Sequence, residues 1–231
     1  MRKLFTNIIL LAVTVTALGQ QSIGVKVNGG ISFFRSENQT YPSWPMKLSY
    51  YPMPSGQVGL TYQYRLKKKI TLGAELLYTQ IEGKEIETIF TGLAIGNTFT
   101  SDGYVETKKY RHIYYLGMPV YVGYKLNKLT VNLGVQTNFK VGGGSHFYYH
   151  DVHDNEEPIN KDVKQNSIDV NKIDYGLRLG LFYKLTDKFS LETNYYYGLT
   201  NISENASIDL SRRWHIHQFT VGVRYNLLTL K

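Results

Sequence analysis

Imidazole and carboxylate side chains crowd one stretch of this sequence: His146, His150, Asp151, His153, Asp154, Glu156 and Glu157. Groups of these types at this density are the ligands that hold zinc or copper. Their spacing matches no catalytic signature, and the stretch supplies no evident residues to orient them. The stretch is therefore read as a solvated polar loop, with no metal and no cofactor expected. His215 and His217 form a second candidate, because a His beside a Ser could activate a nucleophile. No His-x-Ser pair occurs, and Ser211 is the nearest serine in that connection. A third set is ionic: Lys26, Arg65, Lys125, Lys184 and Arg224, with Glu75, Glu192, Arg178 and Asp174. A fourth is aromatic and proline-rich, Tyr41-Pro42-Ser43-Trp44-Pro45 through Tyr50-Tyr51-Pro52-Met53-Pro54, a stretch able to grip a polysaccharide or protein, or to pack over a neighbouring surface. No phosphate-binding Gly-Lys loop, nucleophile elbow or His-Glu-x-x-His helix is present. No catalytic residue is assigned, and no ligand-binding residue is singled out.

What positions these residues is a repeated two-faced strand. In 217–227, Phe219, Val221, Val223, Tyr225 and Leu227 alternate with Gln218, Thr220, Gly222, Arg224 and Asn226. Alternation with period two makes one apolar and one polar face. The same design recurs at 22–34, 57–66, from 70 to about 79, 110–126, 129–141, 173–185 and 189–199. Leu77 breaks the alternation in the third of these. No segment holds apolar residues at helical spacing. Eight antiparallel strands are predicted. Their connections alternate between long (35–55, 81–109, 142–172, 200–212) and short (67–69, 127–128, 186–188). Part of 81–109 is expected to extend its flanking strands, and 142–172 is expected to be a mobile loop.

The chain has 231 residues, a mean hydropathy of −0.27 and no cysteine. The missing cysteines exclude a disulfide framework, a thiolate metal site and a lipid-attachment cysteine. Residues 1–19 read as a secretory signal peptide: basic Arg2 and Lys3, an apolar stretch, then Ala17-Leu18-Gly19. Residues 20–231 then form one barrel domain. The net charge of +8 is dispersed over turns and polar strand faces, which argues against a nucleic-acid partner. Tyrosine is abundant, with 20 residues, and suits membrane interfaces.

Such a barrel can hold its apolar face inside, as a secreted ligand carrier, or outside in lipid. Long and short connections alternate as they do in outer-membrane barrels. Every polar face carries glycine, which makes room in a crowded lumen. The apolar faces carry no charge within the span. The reading is an all-β, eight-stranded, antiparallel up-and-down transmembrane β-barrel of the cell outer membrane. His215 and His217 then lie at headgroup level, where outer-membrane lipid A deacylases place a lipid-facing His and Ser. The ionic set lies in the lumen, where it forms either a salt-bridged plug or a narrow anion path; the geometry of eight strands favours the plug.

Tyr115-Leu116-Gly117-Met118-Pro119-Val120 and Asp174-Tyr175-Gly176, together with the last strand, resemble the PorT-like family of small outer-membrane β-barrel proteins. The last strand also resembles the signal read by the barrel-assembly machinery, through Thr220, Gly222, Tyr225 and Leu227. The resemblance implies a monomeric barrel and a non-enzymatic structural, binding or secretion and envelope-assembly role. Its partners would be outer-membrane lipid, the assembly machinery and envelope or secretion proteins. The competing class is an outer-membrane enzyme acting on lipid A or peptides.

Overall fold

The computed structural model describes residues 20–37, 46–66, 68–95, 98–153, 157–168, 170–203 and 213–230. The segment read as a signal peptide lies outside them. Among the described residues there are nine strands: β1 (Gln20–Glu37), β2 (Met46–Arg65), β3 (Ile70–Ile95), β4 (Thr98–Leu126), β5 (Leu129–His153), β6 (Ile159–Gln165), β7 (Ile173–Lys184), β8 (Phe189–Gly198) and β9 (Arg213–Leu230). Eight of them close a ring. Each pairs antiparallel with the next, β5 pairs directly with β7, and β9 returns to β1. At that seam Lys26 stands opposite Arg224. β6 is outside the ring and pairs with the far end of β5.

The wall follows from the alternation. Val27, Val120, Val135 and Leu133 point away from the lumen, between 57% and 62% exposed. Lys26, Asn28, Glu75, Arg178, Glu192 and Arg224 are buried inside. A soluble ligand-carrying barrel would reverse those faces. An apolar wall of this extent requires lipid. Outward rings bound it at both ends. Tyr62, Tyr124, Tyr183, Phe189 and Tyr225 lie near the short turns; Phe33, Tyr78, Tyr114, Phe139, Tyr175, Tyr195 and Tyr197 lie near the opposite end. Tyr and its relatives settle at such depths because they are apolar in body and polar at the tip.

Two expectations are met and a third is overturned. Leu77 breaks the apolar alternation because it faces the lumen, fully buried, an apolar residue on the polar side. The stretch 81–109 extends its flanking strands further than the part expected, through Ile95 and again from Thr98. The stretch 142–172 is not a loop over its first part, since β5 runs on to His153 and β6 follows. Beyond the bilayer both faces of a strand meet water or one another, so hydrophobic period two fades there. The aromatic run Phe147-Tyr148-Tyr149 still favours a strand. Where β5 leaves the membrane zone, Tyr115 pairs with Lys140 while Tyr114 pairs with Gly142, so Val141 bulges out. One extra residue reverses the parity of β5. Asn132, Gln136 and Asn138 face inward below the bulge; Ser145 does so above it.

Candidate functional site

The inward charges come from five strands and meet in one network. The Glu75 carboxylate accepts from Arg178 Nη1 at 2.7 Å and Arg224 Nη2 at 2.5 Å, and forms an ion pair with Lys26 Nζ at 3.0 Å. Glu192 accepts from Arg224 at 3.0 and 3.1 Å and forms an ion pair with Lys26 Nζ at 2.7 Å. Tyr121 accepts from Arg224 Nη1 at 3.0 Å, and Asn194 accepts from Arg178 Nη2 at 2.8 Å. These side chains are buried, so the low local dielectric strengthens the pairing that desolvation makes necessary. Counting residues along the strands puts Lys26 and Arg224 near the short-turn ends, below Glu75 and Glu192; the structure lifts them into the glutamate layer. Barrel strands tilt and stagger, so equal distance from a turn is not equal height. Arg65, Lys125 and Lys184 stay below, in a separate vestibule. Asp174 lies above, accepting from Asn138 at 3.0 Å and Tyr196 at 2.6 Å.

A second closure lies higher. Phe34, Ile81, Ile113, Tyr115 and Ile216 point inward from the wall and pack with Ile168, Val170 and Ile202 from the long connections. Backbone bonds hold those connections in the mouth: Asn171 N to Ile202 O at 2.9 Å, and Ile202 N to Trp214 O at 2.9 Å. Lys140 Nζ donates to the carbonyl of Ile168. An ionic layer below and an apolar layer above thus fill the lumen.

The surface left for recognition is the sheet that β2–β6 raise past the outer aromatic ring. Its outward face carries Tyr51, Lys84, Tyr104, Glu106, Lys108, Tyr110, His112, His146, Tyr148 and His150. Asn160, Asp162 and Lys164 of β6 continue it. Lys84 Nζ lies 5.5 Å from the Tyr51 ring and 5.2 Å from the Tyr110 ring. Tyr110 meets Tyr148 edge-on at 5.7 Å, and Tyr148 lies 4.2 Å from His146. His146 is bonded to Asp162, and His150 to Asn160 at 2.8 Å. The groove between these residues has a volume of about 1010 Å³. A signal for this face is legible at period two in Tyr104-x-Glu106-x-Lys108-x-Tyr110-x-His112, which a search for apolar alternation passes over.

The remaining sequence candidates fall as follows. His146 and His150 share the outward face, whereas Asp151 and His153 take the inward one and bond to each other at 3.1 Å. Strand geometry thus splits the set, and among the described residues no three His, Asp or Glu side chains converge as a metal site. Asp154 and Glu156 lie outside the described residues; Glu157 is exposed. His217 is on the lipid side, as expected. Its ring stacks on Phe33 at 4.8 Å, and its Nδ1 is 2.8 Å from the Tyr195 hydroxyl. His215 Nδ1 is 3.2 Å from the Gly198 carbonyl. Ser211 and Tyr41 through Pro45 lie outside the described residues, while Tyr50 to Pro54 belong to β2.

The family model for the outer membrane protein β-barrel domain matches residues 19–204. This chain belongs to that family. Its barrel is an outer-membrane barrel, and the end with the short turns faces the periplasm. The fold is similar to that of the attachment invasion locus protein Ail of Yersinia pestis, solved in complex with the heparin analogue sucrose octasulfate. That pair is 10% identical over 90% of this chain and 99% of that one, with a TM-score of 0.39. Neisserial surface protein A is 11% identical over 90% and 99%, with a TM-score of 0.40. The outer membrane protease OmpT of Escherichia coli is 12% identical over 90% and 96%, with a TM-score of 0.35. Likenesses this distant carry no argument about activity. A comparison with curated proteins returns no match.

Proposed function

We propose that this protein is a closed, non-enzymatic outer-membrane barrel whose work is binding at the cell surface, through the outward face of the β2–β6 sheet. The observation that carries this reading is the contrast between a doubly filled lumen and a raised sheet bearing a groove of about 1010 Å³. Its tyrosine and histidine rings can pack against the C–H faces of a sugar, and its Asn, Asp and Lys side chains can hydrogen-bond the hydroxyls. A saccharide is the ligand class this combination fits. It could come from the polysaccharide of the surrounding outer leaflet or from a glycan outside the cell.

The experiment is an oligosaccharide array probed with the purified barrel and with a Tyr110→Ala/Tyr148→Ala variant. Binding by the first and a loss of about tenfold or more by the second are expected. Equal signals, or none, would remove the reading. A parallel arm with the polysaccharide of the native outer leaflet identifies the source. The finer resemblance to PorT-like proteins, a cleaved signal peptide, a monomeric state and insertion by the assembly machinery belong to the same proposal, as does an accessory role in envelope assembly or secretion. The competing reading, an enzyme acting on lipid A, would need His217 as a base. Its clamp by Phe33 and Tyr195 favours a place in the aromatic ring instead, and turnover of lipid A that is lost in His217→Ala would reverse that judgement.

A further inference from the structure

Below the ionic layer the barrel opens to the periplasm through a vestibule of about 450 Å³. Arg65, Lys125, Lys128, Lys184 and Arg224 line it, and Asp187 is the carboxylate among the lining residues. Asp187 is already engaged by Lys184 at 2.5 Å, out at the exposed rim. Arg224 is held from above by Glu75, Glu192 and Tyr121, so it forms part of the roof. That roof does not neutralise the vestibule either. Lys26, Arg178 and Arg224 face Glu75 and Glu192 there, which leaves one positive charge in excess.

Cations gathered around one narrow mouth repel one another, and those that turn into it are screened less than charges on an open surface. Walls of low dielectric focus the resulting field on the cavity. The hydroxyls of Thr71, Thr130 and Ser190 line the same space and supply neutral donors beside the charges. A bound anion would offset the repulsion and gain charge-assisted hydrogen bonds. The filled lumen above makes the vestibule a blind site, with entry and exit on one side.

We propose that the vestibule binds a phosphate-bearing anion with more than one negative charge. Its volume suits a pyrophosphate or a phosphate ester better than a single small ion. Such a group could be free in the periplasm or could be the headgroup of an anionic phospholipid in the inner leaflet. Titration calorimetry of the purified, folded barrel with pyrophosphate, in a neutral detergent, tests the site. Binding is expected to weaken steeply as salt is raised, and to weaken about tenfold or more in Lys125→Gln/Lys184→Gln. Heat-modifiable gel migration shows that the double variant is still a folded barrel. The absence of binding, or equal binding by both proteins, overturns the proposal. Repeating the titration in lipid discs separates the sources. Affinity that drops when cardiolipin, whose headgroup carries two phosphates, is included assigns the site to the headgroup; unchanged affinity assigns it to a free anion. Saccharide binding on the far side of the membrane is scored separately and does not bear on this outcome.

Discussion

At the scale of single residues, the buried glutamates carry the heaviest consequence. Glu75 neutralises cations from three strands, and none of them can return to water while the barrel stands. Replacing one member of a buried pair costs about 3–5 kcal/mol, since the partner charge stays buried and uncompensated. Glu75→Gln is therefore expected to lower the urea midpoint of the refolded barrel strongly, and an unchanged midpoint would show the network to be dispensable. Glycine acts through absence. A Cβ on Gly73 would collide with the Tyr121 ring, whose hydroxyl accepts from Arg224. The sequence showed that polar faces carry glycine and that charges point inward. It did not show which charges meet, because Glu75 and Arg224 are 149 residues apart and their common height depends on barrel stagger.

At the scale of elements, strand identity was legible wherever lipid stands on one side and packed side chains on the other. β7 and β8, which have 12 and 10 residues, hardly exceed what a tilted strand needs to cross a bilayer. They were read to within a residue. β4 has 29 residues, and its outer end, 98–109, is legible only as a partial extension because no apolar face is required there. The lipid-facing assignment has a direct check. Val120→Arg sets a cation on the wall, at an expected cost of about 2–4 kcal/mol at mid-bilayer depth. Folding into vesicles at wild-type stability would place that residue elsewhere. The β5 bulge has its own check. Deleting Val141 removes the surplus residue, so Gly142 follows Lys140 in regular alternation and His146, Tyr148 and His150 keep facing outward; the barrel is expected to fold and to keep saccharide binding, and loss of binding would show that the bulge itself shapes the groove.

At the scale of the whole molecule, the wall and the raised sheet are separable in their contacts. Among the described residues β6 pairs with the outer end of β5, from Ser145 to Asp151. Replacing 146–165 by a short turn is expected to leave a heat-modifiable barrel that has lost the surface groove. Failure of that protein to fold would show that the sheet helps to hold the wall. In planar bilayers the intact protein is expected to give no steady open conductance, because the ionic and apolar layers both block the lumen; a stable open channel would refute the plug. The seam adds a matter of timing. β1 is made first and β9 last, and joining them sets Lys26 directly opposite Arg224. Like charges so placed repel. What reconciles them is Glu75 and Glu192, which arrive from β3 and β8. An incomplete wall thus meets a seam that resists closing, and a complete one meets a seam that locks. The barrel carries an internal proofreading step: closure rewards only a chain whose intervening strands are already in register.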